Sequence, residues 1–66
     1  MSDLKLKKSI YSSENVQTAI RAYHALTKII LSESDQDWEL MFLDCKVDKN
    51  RTMAEFENYL IELENL

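Results

Sequence analysis

This chain of 66 residues contains neither glycine nor proline, and that absence constrains it more than any motif it carries. Glycine supplies positive φ in tight turns and lets backbone approach a phosphate closely. A chain without it has no P-loop and no dinucleotide-binding fingerprint. Every turn must instead be built from Asp, Asn or Ser, through side-chain to backbone bonds or a tolerated left-handed residue. The length bounds the answer to one small domain, residues 1–66. A domain of this size buries only about 60% of the surface its unfolded chain exposes, so its core is thin. A deep catalytic cleft is not expected, and a partner that covers extra apolar surface is.

The single cysteine excludes a disulfide framework and a cysteine-based zinc or iron–sulfur site within the chain. A lone thiol fits a reducing compartment. No apolar run approaches the about 18 residues of a membrane span, and the Lys/Leu alternation at the start does not read as a signal peptide. The expectation is a cytoplasmic protein with no membrane partner. The net charge of −4 is unevenly placed. Residues 1–30 carry +3 and residues 31–66 carry −7. Duplex nucleic acid is disfavoured as a partner, because affinity there comes from neutralising many phosphates.

Leu4, Leu6 and Ile10 alternate with polar residues and predict a strand over 4–11. Ser12 and Ser13 are N-cap candidates with Glu14 in the first turn. Val16, Ala19, Ile20, Tyr23 and Leu26 then form the apolar stripe of a helix over 13–26. Residues 27–33 read as a second strand and 34–37 as a turn. A third strand over 38–47 has Leu40 and Phe42 on one face and Met41, Leu43, Cys45 and Val47 on the other. That two-sided apolarity marks a central strand. Thr52 and Glu55 match a capping box, and Met53, Phe56, Leu60 and Leu63 give a second stripe over 52–65. Glu62 and Glu64 oppose the dipole of that helix, so its end either frays or is held by a partner.

The predicted fold is a small α+β domain of order β-α-β-β-α. It is a three-stranded sheet with the third strand between the other two and both helices on one face. The opposite face has nothing in the chain to cover it. Met41, Leu43, Cys45 and Val47 would line it as an apolar strip if they point that way.

No chemical constellation stands out. Asp35, Asp37 and Glu39 begin like a calcium loop, but the required Gly and the closing Glu are replaced by Leu40 and Lys46. Cys45 alternates with apolar residues and reads as a small buried hydrophobe, and His24 reads as a helix-end residue. No catalytic residue, metal ligand or cofactor is expected, and the chain does not read as an enzyme. Binding residues are expected instead. Lys5, Lys7 and Tyr11 are the candidates if the first strand is an edge, and Trp38, Met41 and Leu43 are those for the open face.

One family resemblance bears on this. The run Ile10-Tyr11-Ser12, followed by Val16, Ala19 and Ala22-Tyr23, is similar to the strand–Tyr–helix opening of HxsD-like proteins. The later Glu55-Phe56-Glu57-Asn58-Tyr59-Leu60 looks like the last-helix element of that family. The ending Glu62-Leu63-Glu64-Asn65-Leu66 departs from the Leu-Arg ending expected there. The resemblance spans roughly residues 4–64. It implies a bacterial accessory protein of a peptide-maturation system of the His-Xaa-Ser type. The partners it implies are a radical-SAM enzyme and its precursor peptide, with the chemistry on the enzyme. Two rival expectations remain. One is a small acidic inhibitor that uses Glu33, Asp35, Asp37 and Glu39, with the acids of 55–64, against a basic surface. The other is a self-associating protein, a homodimer through its open faces.

Overall fold

The computed structural model describes residues 2–66 and shows β1 (Leu4–Lys7), α1 (Ser13–Ala22), β2 (Lys28–Glu33), β3 (Asp37–Leu43) and α2 (Lys49–Glu64). The sheet order is β1-β3-β2, and β3 runs antiparallel to both neighbours, as its two-sided apolarity implied. Paired residues share a face. Leu4 lies opposite Leu40, Leu6 opposite Trp38, Ile29 opposite Phe42, and Leu31 opposite Leu40. That face meets both helices. Leu6, Leu40 and Phe42 are buried with Val16 and Ala19 of α1 and with Phe56 and Leu60 of α2. The Phe56 ring is central, edge-on to Phe42 at 5.3 Å and to Tyr23 at 5.5 Å. Such edge-to-face contacts add about 0.5–1.5 kcal/mol beyond the area they bury.

The element types are as expected, but the ends differ, each for a local reason. The first strand stops at Lys7 instead of reaching 11. The Lys7 carbonyl accepts the amides of both Ile10 and Tyr11, at 3.0 Å each, and turns the chain. β3 begins at Asp37, the partner of Lys7, and beyond it the Lys8 amide makes a last bond across, to the Gln36 carbonyl at 2.9 Å. Ile10 is 59% exposed in consequence.

α1 closes at Ala22 instead of running to 26. Tyr23 caps it, and Tyr23 and Leu26 are then joined by a tight i→i+3 bond of 2.9 Å. Tyr23 is fixed against Phe56 and Tyr59, so the chain must turn there to enter β2. Burial raises the Tyr23 phenol above its ordinary pKa, with Glu55, Tyr59 and Glu62 adding to the rise. Thr27 precedes β2, buried, with its hydroxyl donating to the Leu43 carbonyl at 2.8 Å.

The third strand ends at Leu43 instead of 47. Asp44 adopts φ 53°, the left-handed region that an Asp tolerates better than most residues. The alternation is broken there. Cys45 turns to the core side, 3.3 Å from the Thr27 hydroxyl, and Val47 is left half exposed. The hairpin turn at residues 34–37 uses no positive φ. Ser34 donates its amide to the Asp37 carbonyl, and its hydroxyl accepts the Asp37 amide.

The second helix starts at Lys49, before the expected 52. Its N-cap is Asp48, whose carboxylate accepts the Arg51 amide at 2.9 Å, so the Thr52/Glu55 capping box is not used. Thr52 is buried within the first turn and bonds back to the Asp48 carbonyl, while Glu55 pairs with Arg51. The C-terminal acids also find a use. The Glu64 carboxylate accepts the Ser12 amide at 2.8 Å, at the start of α1. A charge unfavourable for its own helix is thereby favourable for the neighbouring one. That bond, with further ones from Asn15 and the Ser12 hydroxyl, holds Glu64 below the usual carboxylate range.

Candidate binding site: the two sheet edges and the open face

The sheet has two edges of unequal character. β1 spans four residues and β2 spans six. β1 is tied at both ends. At its start the Asp3 carboxylate accepts the Phe42 amide at 2.8 Å and pairs with Lys49 at 3.0 Å, which joins β1 to β3 and to α2. The Phe42 amide first, and then Lys49, hold Asp3 below the usual carboxylate range. At its end the Lys7 carbonyl is already taken by two amides.

Lys5 and Lys7 project to the open face, opposite Glu39 and Asp37. They lie on an edge as expected, but Tyr11 does not join them. Tyr11 packs against the core beyond the turn, and its carbonyl accepts the Trp38 indole N–H at 2.9 Å. Trp38 is likewise separated from Met41 and Leu43. It lies on the helix face, opposite Leu6, and the Lys8 ammonium sits 4.8 Å from its ring centroid. Lys8 also pairs with Glu33 at the far end of β2. Trp38 is thus a lid on the core, and the expected grouping of Trp38, Met41 and Leu43 on one face does not form.

The acidic candidates lie around the hairpin, and each of the four has a cation beside it. Glu33 pairs with Lys8, while Asp37 and Glu39 lie opposite Lys7 and Lys5. Asp35 is exposed beside Lys7 and Lys8 in a shallow hollow of about 260 Å³. At the hairpin this local pairing weakens the negative surface that an inhibitor of a basic partner would use.

β2 is different. Among the described residues, the main chain of 29–33 has no hydrogen-bond partner outside the β3 ladder. A groove of about 370 Å³ runs beside it on the helix side, lined by Ile20, His24, Thr27, Lys28 and Ile29. Ile20 and Ile29 are half-buried and form its apolar floor, with His24 and Lys28 exposed at the rim. On the open face a smaller hollow of about 100 Å³ is lined by Ser2, Ile30, Ser32, Glu39 and Met41. Ile30 is 45% exposed there and lies opposite Met41. The expected apolar strip therefore reduces to Met41 and Leu43, since Cys45 leaves it and Val47 lies beyond the sheet, and Ile30 of β2 joins them.

None of the groove residues stands out as a motif. One signal in the sequence points to them. Residues 15–32 contain no Asp or Glu, in a chain that has 12. Among the described residues no group of three or more His, Cys, Asp and Glu comes together as a metal site requires, and no helix is long and apolar enough to cross a membrane. No protein-family model, curated protein or solved structure matches the chain.

Proposed function

We propose that this protein is a non-catalytic binding module that accepts an extended segment of a partner as a fourth strand on β2. The observation that carries this reading is the pairing of a strand edge free over residues 29–33 with hollows on both of its faces. An added strand gains affinity from main-chain bonds along the edge. It projects side chains alternately to the two faces, where pockets supply selectivity. β1 is the poorer acceptor, being shorter, lysine-bearing and already engaged at Lys7, which are the usual defences of an edge. The resemblance to HxsD-like proteins gives the class of partner: a radical-SAM peptide-modifying enzyme or its precursor peptide, which the module would hold or present.

The test is capture with paired variants. Tagged wild-type protein should recover the enzyme or the precursor peptide from its native host. Ile30→Lys places a charge on the exposed side of the β2 edge and should lose that recovery with the fold intact, whereas Lys5→Glu/Lys7→Glu should retain it. Equal recovery by all three proteins rejects the β2 edge. Recovery of a basic nucleic-acid-handling protein instead would move the reading to an acidic inhibitor.

A further inference from the structure

We infer that the segment accepted by β2 is acidic, with a carboxylate beside Lys28 and a branched apolar residue next to it in sequence, seated over Ile20 and Ile29. This rests on strand addition at β2 and names the chemistry of the strand that is added. The argument is one of charge and register.

Three lysines lie on strands. Lys5 and Lys7 each face an acid on β3, but Lys28 faces Leu43. Lys28 is exposed and is in no ion pair among the described residues. Its open side is the edge itself. A residue directly opposite it on an added strand would be its cross-strand neighbour, and opposite charges in that position attract.

The surroundings favour the same sign. The groove is built from the acid-free stretch 15–32, which holds Arg21, His24 and Lys28. Elsewhere the chain is strongly acidic, with −7 over residues 31–66. An acidic segment meets no carboxylate in this groove, and on the open face the neighbouring hollow holds one, Glu39. A basic segment would instead be drawn toward the acids of α2.

The alternation of a strand fixes the rest. If one residue of the added strand stands beside Lys28 on the open face, its neighbour in sequence points to the helix face. There it meets the half-buried Ile20 and Ile29, with the His24 imidazole at the rim as a further hydrogen-bonding group. The pattern read is therefore one carboxylate at Lys28 with an apolar residue next to it in sequence. A phosphate or a metal ion would not exploit the apolar floor.

The experiment uses two blocked peptides that match the six residues of β2, one alternating Val and Glu and one alternating Val and Lys. Each is titrated into isotope-labelled full-length protein and followed through the backbone amides. The Val/Glu peptide should shift residues 28–33 together with 20 and 24. It should bind about fivefold more tightly than the Val/Lys peptide, the scale of exchanging a like-charge neighbour at Lys28 for an opposite one. Lys28→Glu should invert the preference, and Lys28→Ser should abolish it if the reversed-charge protein does not fold.

Equal binding of both peptides at β2 overturns the charge inference and leaves strand addition standing. Val/Glu shifts confined to β1 or α2 overturn the placement. Binding of neither peptide rejects strand addition, and the inference with it. If shifts of 28–33 then follow protein concentration alone, a second copy of the chain occupies the edge. A Val/Glu peptide with alternate amides N-methylated separates the two claims, because it keeps the charges but cannot complete the ladder.

Discussion

β1 and β2 flank the same central strand, yet only one of them is defended. β1 is four residues long, its Asp3 is clamped by Phe42 and Lys49, its Lys7 carbonyl is occupied, and its two lysines lie opposite acids on β3. β2 is longer, presents a half-exposed Ile30, and carries a lysine with no acid opposite it. An exposed edge invites pairing with other chains, and proteins ordinarily shorten it, charge it or cover it. Where one edge receives those devices and the other does not, the undefended edge is the better candidate for use.

The most damaging way to break the comparison is to remove what both edges share. Phe42 is buried on β3 and packs edge-on against Phe56. Truncating a buried Phe costs about 3–5 kcal/mol. A core in a domain this small rarely supplies more than about 3–5 kcal/mol of net stability. Phe42→Ala should therefore be largely unfolded by circular dichroism. Retention of a cooperative melt would mean that the sheet draws its stability from elsewhere.

A smaller perturbation separates the edges. Asp3→Ala removes the carboxylate that holds β1 to β3 and α2. It should lower the melting temperature and speed hydrogen exchange in residues 4–7 while 28–33 keep their protection. Equal loss in both strands would show that the two edges open as one unit. The same clamp predicts an acid limb. Asp3 and Glu64 both titrate below the ordinary carboxylate range. The unfolded chain binds protons at these groups more readily than the folded one. Their contribution is therefore present above the ordinary carboxylate pKa and is lost as pH falls through the lowered folded values. Asp3→Asn still accepts the Phe42 amide but cannot pair as an anion with Lys49. Its melting temperature should fall less steeply with acid than that of the wild type, and an unchanged slope would assign the limb to Glu64 and other carboxylates.

Much of this architecture was legible in the residues. Period-two and helical stripes gave the five elements, and the two apolar faces of Trp38–Leu43 placed that strand in the middle. The ends were not legible, because a chain without glycine or proline lacks the usual punctuation. Its elements stop where tertiary contacts stop them: at the Lys7 carbonyl, at the Tyr23 packing, at left-handed Asp44, and at Asp48 in place of Thr52. The candidate site suffered from the same limit. Lys5 and Lys7 were correctly placed on an edge, but Tyr11 lies beyond the turn that ends it. Trp38 is separated from Met41 and Leu43 because its neighbours in sequence face the other way. The β2 groove joins residues from a helix, a loop and a strand, and no single stretch announces it except by lacking acids.

The smallest expected effect is the most direct test of which edge is used. In Lys5→Glu/Lys7→Glu the new carboxylates stand opposite Glu39 and Asp37. Like charges directly across a strand pair are unfavourable, and opposite pairs contribute about 0.2–1 kcal/mol each. These side chains are exposed, so solvent and salt reduce the penalty toward the low end of that range. The variant should thus melt slightly lower than the wild type at low ionic strength and approach it in high salt. Its affinity for a Val/Glu peptide should not fall, because the charges that change lie on the far edge with β3 between them and β2. If that affinity drops with the reversal, the ligand reaches β1 or the open face. The contrast between a defended and an undefended edge would then have to be drawn the other way round, with the lysines of β1 as recognition residues.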